Sequence, residues 1–291
     1  MDLLATARRL ERITYGESHP HPPKAILVGW VWYAEVVRSL ASESEPVAGG
    51  RMAANGVGSY LNKAVGLGFE GEPSEEDVAR IERFFASRGI EPRVELTQFA
   101  PVGFLRRLAE HGFVLQEFEN TLVLLLRGIG EPRTLLPGGW PDGVRVEHVD
   151  PSEDAQVDTF VRISGSGFIP DGEPMPEEFL RTGARAARVA AHDSYIAYAG
   201  GEVAGAGGCG TRGGSTSLFG TSVLPRFRRR GIQQALMVVR LERALALGSD
   251  LADITSHPGI PTERNAARLG FRLAYVRAVM VKRGPGLVPS P

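Results

Sequence analysis

One succession of elements occurs twice along this chain, and it constrains the fold more than any single residue does. Residues 74–127, SEEDVARIERFFASRGIEPRVELTQFAPVGFLRRLAEHGFVLQEFENTLVLLLR, predict a helix, a glycine turn at Gly89, a short strand, a short helix, Gly112-Phe113 and a long final strand. The stretch from Ile232, closing on GSDLADITSHPGIPTERNAARLGFRLAYVRAVMVKR, predicts the same order, with Gly248 and Gly270-Phe271 in the matching places. The likeness is one of pattern rather than identity, so chance stands as the alternative to duplication. Short strands alternating with helices call for an α/β layer arrangement.

The chain has 291 residues, enough for two domains each with its own core. The sharpest change in composition is GIGEPRTLLPGGWPDG, residues 128–143, rich in Gly and Pro and without an apolar period; it reads as a linker. The expected organisation is therefore a domain over 1–127, a linker over 128–143 and a second domain over 144–284. In the first part a helix is expected over residues 2–13, then a proline turn, ESHPHPP. For AILVGWVWYAEVV, periodicity does not choose between strand and helix. The second part predicts a strand (VRVEHV), a helix from Pro151, a helix in PEEFLRTGARAARVA, and strands SYIAYAG, EVAGAGGCGT and STSLFGTSVL joined by Gly-Gly turns. The helix GIQQALMVVRLERALAL follows, with Leu236, Val239, Leu241, Ala244 and Leu245 as its apolar face. Strand LADITS, helix TERNAARLG and strand FRLAYVRAVMVK close the chain.

Composition removes several function classes. A net charge of −1 gives no general basic surface for nucleic acid. The single cysteine, Cys209, excludes a disulfide framework and a CxxC site, and fits a cytoplasmic setting. No run of about 18 apolar residues suggests a membrane span. Gly205-Ala206-Gly207-Gly208-Cys209-Gly210 matches GxGxxG in letters only, since another strand and not a helix follows it. His19 and His21 have no third ligand nearby, so no metal is expected.

Residues 222–236, SVLPRFRRRGIQQAL, place Arg226 and Arg228 to Arg230 directly before a helix. Cations there oppose the partial positive charge of unpaired N–H groups, by up to about 1 kcal/mol each. A bound anion reverses that sign, because backbone N–H groups of a glycine-containing loop and helix start form an anion nest. The plainer alternative is a solvated basic turn paired with Glu242 or other acids.

With its flanks, the stretch resembles the coenzyme-A-binding motif of the GNAT-type N-acetyltransferase superfamily. The strand ends in Val223-Leu224-Pro225, and Arg228, Arg229, Arg230, Gly231, Ile232 and Gln233 follow as the loop, with Gln233 where the family has a small residue. TERNAARLGF, residues 262–271, resembles a later family motif in which an Asn, here Asn265, opens a helix ending in Leu-Gly-Phe. The resemblance covers residues 145–283. It implies a mixed, mostly antiparallel twisted sheet flanked by helices, and with the repeat it implies two tandem domains. It also implies acetyl-CoA as cosubstrate, with Val223, Arg228, Arg229, Arg230, Gly231, Ile232, Gln233 and Asn265 as cofactor-binding residues and a small-molecule or peptidyl amine as acceptor. A homodimer is compatible with it.

The matching loop of the first domain carries Glu70, Glu72, Glu75, Glu76 and Asp77, which repel a polyanion, so that domain is expected to have kept the fold and lost the CoA loop. Ser74 and Asp77 resemble a capping box. Many family members use a Glu on the strand before the loop and a Tyr in the helix after the Asn. Here the strand offers Gly220, Thr221 and Ser222, and NAARLG has no Tyr. Ser222 and Tyr275 are the remaining catalytic candidates, with a water relay through Ser222 or His257, although Tyr275 fits a core position equally well. Three readings follow: an N-acetyltransferase, a non-catalytic acyl-CoA-binding or sensor protein, and a nucleic-acid module using RFRRR, which lacks stacking aromatics.

Overall fold

The computed structural model describes residues 33, 34, 36–170 and 172–290. The expected helix over 2–13, the ESHPHPP turn and the histidines within it lie outside these; residues 36–40 are helical. The described residues include no helix long and apolar enough to cross a membrane. The chain forms two compact units, one built from the residues through Glu119 together with those from Tyr275 onward, the other from Asn120–Ala274.

In the first unit, β1 (Glu43–Val47) and β2 (Gly50–Ala54) form an antiparallel hairpin. Its two-residue turn, Ala48-Gly49, has both φ angles positive, at 47° and 81°, the twist that suits a tight hairpin. β2 pairs antiparallel with β3 (Lys63–Val65), which runs parallel to β4 (Arg93–Thr97). Helices α1 (Glu75–Ala86) and α2 (Val102–Glu110) bury Val78, Ile81, Phe84, Phe85, Phe104 and Leu108 against this sheet. Ser74 caps α1 as the sequence indicates: Asp77 N donates to Ser74 Oγ at 3.2 Å and Ser74 N to the Asp77 carboxylate at 2.9 Å.

His111, just after α2, contacts Glu82 at 2.8 Å through Nδ1 and Glu75 through Nε2. The Glu75 hydrogen bond is the main cause of its raised pKa. The protonated form is favoured in the fold, so this stabilisation is complete below the ordinary histidine pKa and is lost as pH rises through the raised value. The thermal midpoint of the parent is therefore expected to fall more steeply from pH 6 to pH 9 than that of a His111→Gln variant. Parallel profiles would show that the contact contributes nothing.

In the second unit, β6 (Val144–His148), β7 (His192–Ala199), β8 (Glu202–Arg212) and β9 (Ser215–Val223) form an antiparallel meander, and β9 runs parallel to β10 (Leu251–Ser256). Helix α5 (Ile232–Ala246) covers one face. Helices α3 (Asp154–Gly165) and α4 (Glu177–Ala187) cover the other through Val157, Phe160, Val161 and Ala187. Helix α6 (Pro261–Arg268) follows β10. On α5, Ile232, Ala235, Leu236, Met237, Val238, Leu241 and Ala244 are buried, whereas Val239 and Leu245 of the expected face are only partly so.

The compact units do not end where composition suggests. β5 (Val114–Leu125), the last strand of the first repeat, gives residues 120–125 to the second unit, pairing antiparallel with β10. β11 (Arg272–Val281), the last strand of the second repeat, pairs antiparallel with β4 in the first. Side-chain burial favours this exchange: Leu122, Leu124 and Leu126 enter the core with α5, and Met280 enters the core with α1. Arg277 of β11, 7% exposed, lies 3.3 Å from Glu95 and 3.1 Å from Glu119. Residues 128–143 are part of the second unit rather than a free linker. Pro132 and Leu136 are buried, Arg133 pairs with Glu242 at 2.8 Å, and Trp140 Nε1 donates to the Val144 carbonyl at 2.8 Å.

Candidate functional site

The parallel contact between β9 and β10 stops short. Registered pairs run from Ser215 with Leu251 to Leu218 with Ile254, yet β9 continues to Val223 and β10 to Ser256. A bulge turns β9 in this stretch. Gly208 pairs with Phe219, but Ala206 pairs with Ser222, so three steps on β9 match two on β8, with Gly220 at φ 57°. The flip shows in the side chains, since Phe219 packs with His192 and Ser222 Oγ lies 3.1 Å from Ser166 Oγ, both on the α3–α4 face. Beyond the bulge, Leu224 N donates to the Ala204 carbonyl at 2.9 Å. Hydrogen-bonded pairs alternate along an antiparallel ladder, so Val223, opposite Gly205, directs its N–H away from β8 and toward the β10 side.

The loop that follows is anchored by Phe227, which is 5% exposed. Pro225–Phe227 form a short 3-10 turn, and Arg229 and Gly231 then take positive φ, at 62° and 76°, with Gly231 as the N-cap of α5. The backbone N–H groups of Arg229, Arg230, Gly231, Ile232 and Gln233 meet no acceptor among the described residues. This is the concave array of donors that suits a phosphate. Ile232 itself is buried, so only its backbone faces this array.

The arginines have different surroundings. Arg226 pairs with Glu202 at 2.8 Å, and Arg228 Nε donates to the Val223 carbonyl at 3.2 Å. Arg229 and Arg230 are exposed and make no ion pair among the described residues, although Arg230 lies over the Phe227 ring. Glu242, the alternative partner for the cluster, pairs with Arg133 instead. Leu136, Gly138 and Pro141 face Arg230, Gly231 and Gln234 across a shallow pocket of about 170 Å³. A Cβ on Gly231 would lie 3.1 Å from Pro141 Cγ.

Asn265 is not at the start of its helix: Ile260 is the N-cap of α6 and Asn265 is its fifth residue. Its Nδ2 donates to Gln233 Oε1 at 2.6 Å, and Gln233 Nε2 donates to Thr262 Oγ1 at 2.8 Å. Gln233 thus ties α5 to α6. Ser222 is 6% exposed and engaged with Ser166. Tyr275 is 8% exposed and belongs to the first unit. Burial pushes the Cys209 thiol up to about 12, which leaves it inert at neutral pH. In the first unit Glu72 of the acidic loop pairs with Arg107 of α2 at 3.2 Å and crowds Gly103 at the start of that helix.

Sequence reasoning missed Arg240, which is wholly buried in α5. The signal was available, since Arg240 lies one helical turn from Leu236, inside the apolar stripe.

No family model matches the sequence, and no curated protein sequence matches it. Solved structures do match. A GCN5-related N-acetyltransferase from Kribbella flavida is 18% identical, with 90% of this chain and 96% of that one covered, at a TM-score of 0.65. A tandem GNAT protein from the clavulanic acid biosynthesis pathway is 14% identical, with 97% and 94% covered, at 0.59. A GNAT-family protein from Novosphingobium aromaticivorans is 14% identical, with 88% and 97% covered, at 0.52. At these identities the likeness is one of fold: this chain has the GNAT fold in tandem arrangement.

Proposed function

We propose that this chain, folded as a tandem GCN5-related N-acetyltransferase, transfers an acyl group from a CoA thioester to a primary amine, with acetyl-CoA bound by the second unit. The carrying observation is the parting of β9 from β10 ahead of a loop in which five N–H groups meet no acceptor, and Arg229 and Arg230 no ion-pair partner, among the described residues. The N–H groups of Arg229 to Gln233 would hold the pyrophosphate, and Arg229 and Arg230 would add charge-assisted bonds to phosphate oxygens. The pantetheine amides would pair with the exposed edge of β9. Val223 N–H then faces the thioester carbonyl, where it offsets the charge that builds on oxygen as the amine nitrogen attacks, the C–N bond forms and the C–S bond breaks. The amine proton ends on the departing CoA sulfur.

Asn265 supports this site through Gln233 rather than as a cap. Ser222, held by Ser166, would relay the amine proton only through that contact. No carboxylate stands at Gly220, Thr221 or Ser222, and this observation favours the second reading, an acyl-CoA-binding protein without turnover. Acetyl-CoA incubated with the full chain and a panel of primary amines, with release of free thiol recorded, distinguishes them. Amine-dependent thiol release is expected; binding without release on every amine would select the second reading.

A further inference from the structure

Arg240 is the largest of the side chains wholly removed from solvent among the described residues. Its Nε donates to the Leu236 carbonyl of its own helix at 2.8 Å. Nη1 reaches the sheet, donating to the Gly208 carbonyl on β8 at 2.9 Å and the Phe219 carbonyl on β9 at 3.3 Å. Nη2 is buried with no hydrogen-bond partner, and no carboxylate pairs with this guanidinium among the described residues. Burial brings its pKa down to about 10, which keeps it a cation at neutral pH. Burying a charge without a counter-charge is unfavourable, and an apolar chain of similar length would fill the space without that penalty. Stability alone therefore gives no reason for an arginine here.

Position does. Gly208 and Phe219 are the last pair before the β9 bulge, and Ala206 and Ser222 the first pair after it. Gly207, between them, has no side chain, and a Cβ there would lie 3.1 Å from Arg240 Cζ and 3.2 Å from Thr221 Oγ1, itself buried and without a partner. If the bulge were lost, the register before it would continue and Ser222, not Val223, would stand opposite Gly205. The outward N–H would then move back by one residue, and every following side chain would change face.

We infer that Arg240 is a positioning residue of the acyl-transfer site: by holding the Gly208 and Phe219 carbonyls it pins the bulge, and through the bulge it makes Val223 the residue whose N–H faces the gap between β9 and β10. The inference rests on the acyltransferase reading and adds to it a residue that need not touch substrate.

The test compares the parent full chain with Arg240→Met, which fills the space without charge, and Arg240→Lys, which keeps a cation with N–H donors on a shorter head group without the planar fork. Each is titrated with CoA and with acetyl-CoA, melted, and examined for the infrared carbonyl band of bound ¹³C-acetyl-CoA. The Met variant is expected to melt no lower than the parent, to bind CoA within about twofold of it, and to lose the downward shift of the carbonyl band. The Lys variant is expected to keep part of that shift. A parental band in either variant overturns the inference, as does a loss of CoA affinity that tracks a fall in the melting midpoint, which would mark a merely structural role. A parent that binds no CoA overturns the acyltransferase reading and this inference with it; a parent that binds CoA but whose band is insensitive to residue 240 overturns this inference alone.

Discussion

Acetyl-CoA titrated into an Arg228→Glu, Gly231→Glu double variant is expected to give no measurable heat, against micromolar binding, about −8 kcal/mol, by the parent. Gly231 is the N-cap of α5 and lies within the run of unpartnered N–H groups. A glutamate there places a like charge where the pyrophosphate would sit. Arg228→Glu removes the donor to the Val223 carbonyl and adds a second negative charge to the loop. The φ of 76° also strains any L side chain at position 231, by about 1–2 kcal/mol, and its Cβ meets Pro141. A thermal melt must therefore accompany the titration, with Arg228→Glu alone as the unstrained control; that single change is expected to weaken binding about tenfold or more, or about 1.4 kcal/mol. Undiminished binding by the folded double variant would move the cofactor off this loop.

Val223→Pro tests the chemistry rather than the binding. The residue stands opposite Gly205 in a pair that exchanges no hydrogen bond across β8, so proline at this position removes an N–H that the ladder does not use. Removing an oxyanion donor typically lowers kcat by about 100–1,000-fold, or about 2.7–4 kcal/mol. Such a fall is expected here, with CoA affinity within a few-fold of the parent and with Val223→Ala, which keeps the N–H, near the parental rate. Equal rates for the proline and alanine variants would show that another donor serves the carbonyl.

Much of the second unit was legible because its signals are local. The glycine turns, the alternation in SYIAYAG and STSLFGTSVL and the helix after Gly231 each depend on a few neighbouring residues, and the strands and helices form where those residues lie. The capping box at Ser74 and Asp77 is local in the same way. The loop's donors were legible for a related reason: a glycine after consecutive arginines at a helix start leaves N–H groups without acceptors wherever that helix lies. What Asn265 does was not legible, since its partner Gln233 is 32 positions earlier in the chain. Arg240 was passed over because one arginine in an apolar stripe looks like an interruption until the carbonyls that receive it are in place.

By itself, then, the sequence determined the order of elements, the recurrence of one pattern of elements, and an arginine- and glycine-bearing turn in one half with an acidic one in the other. These follow from side-chain period, turn chemistry and charge, which act over a few residues. Tertiary structure alone decided which strand completes which unit, that residues 128–143 pack instead of linking, and that a bulge clamped by Arg240 turns the Val223 N–H outward. The reason is that backbone hydrogen bonds carry no sequence label. A final strand such as β5 or β11 offers the same N–H and C=O groups to any edge, and only the burial of Leu122, Leu124 and Met280, with the charge of Arg277 beside Glu95, selects the edge it joins.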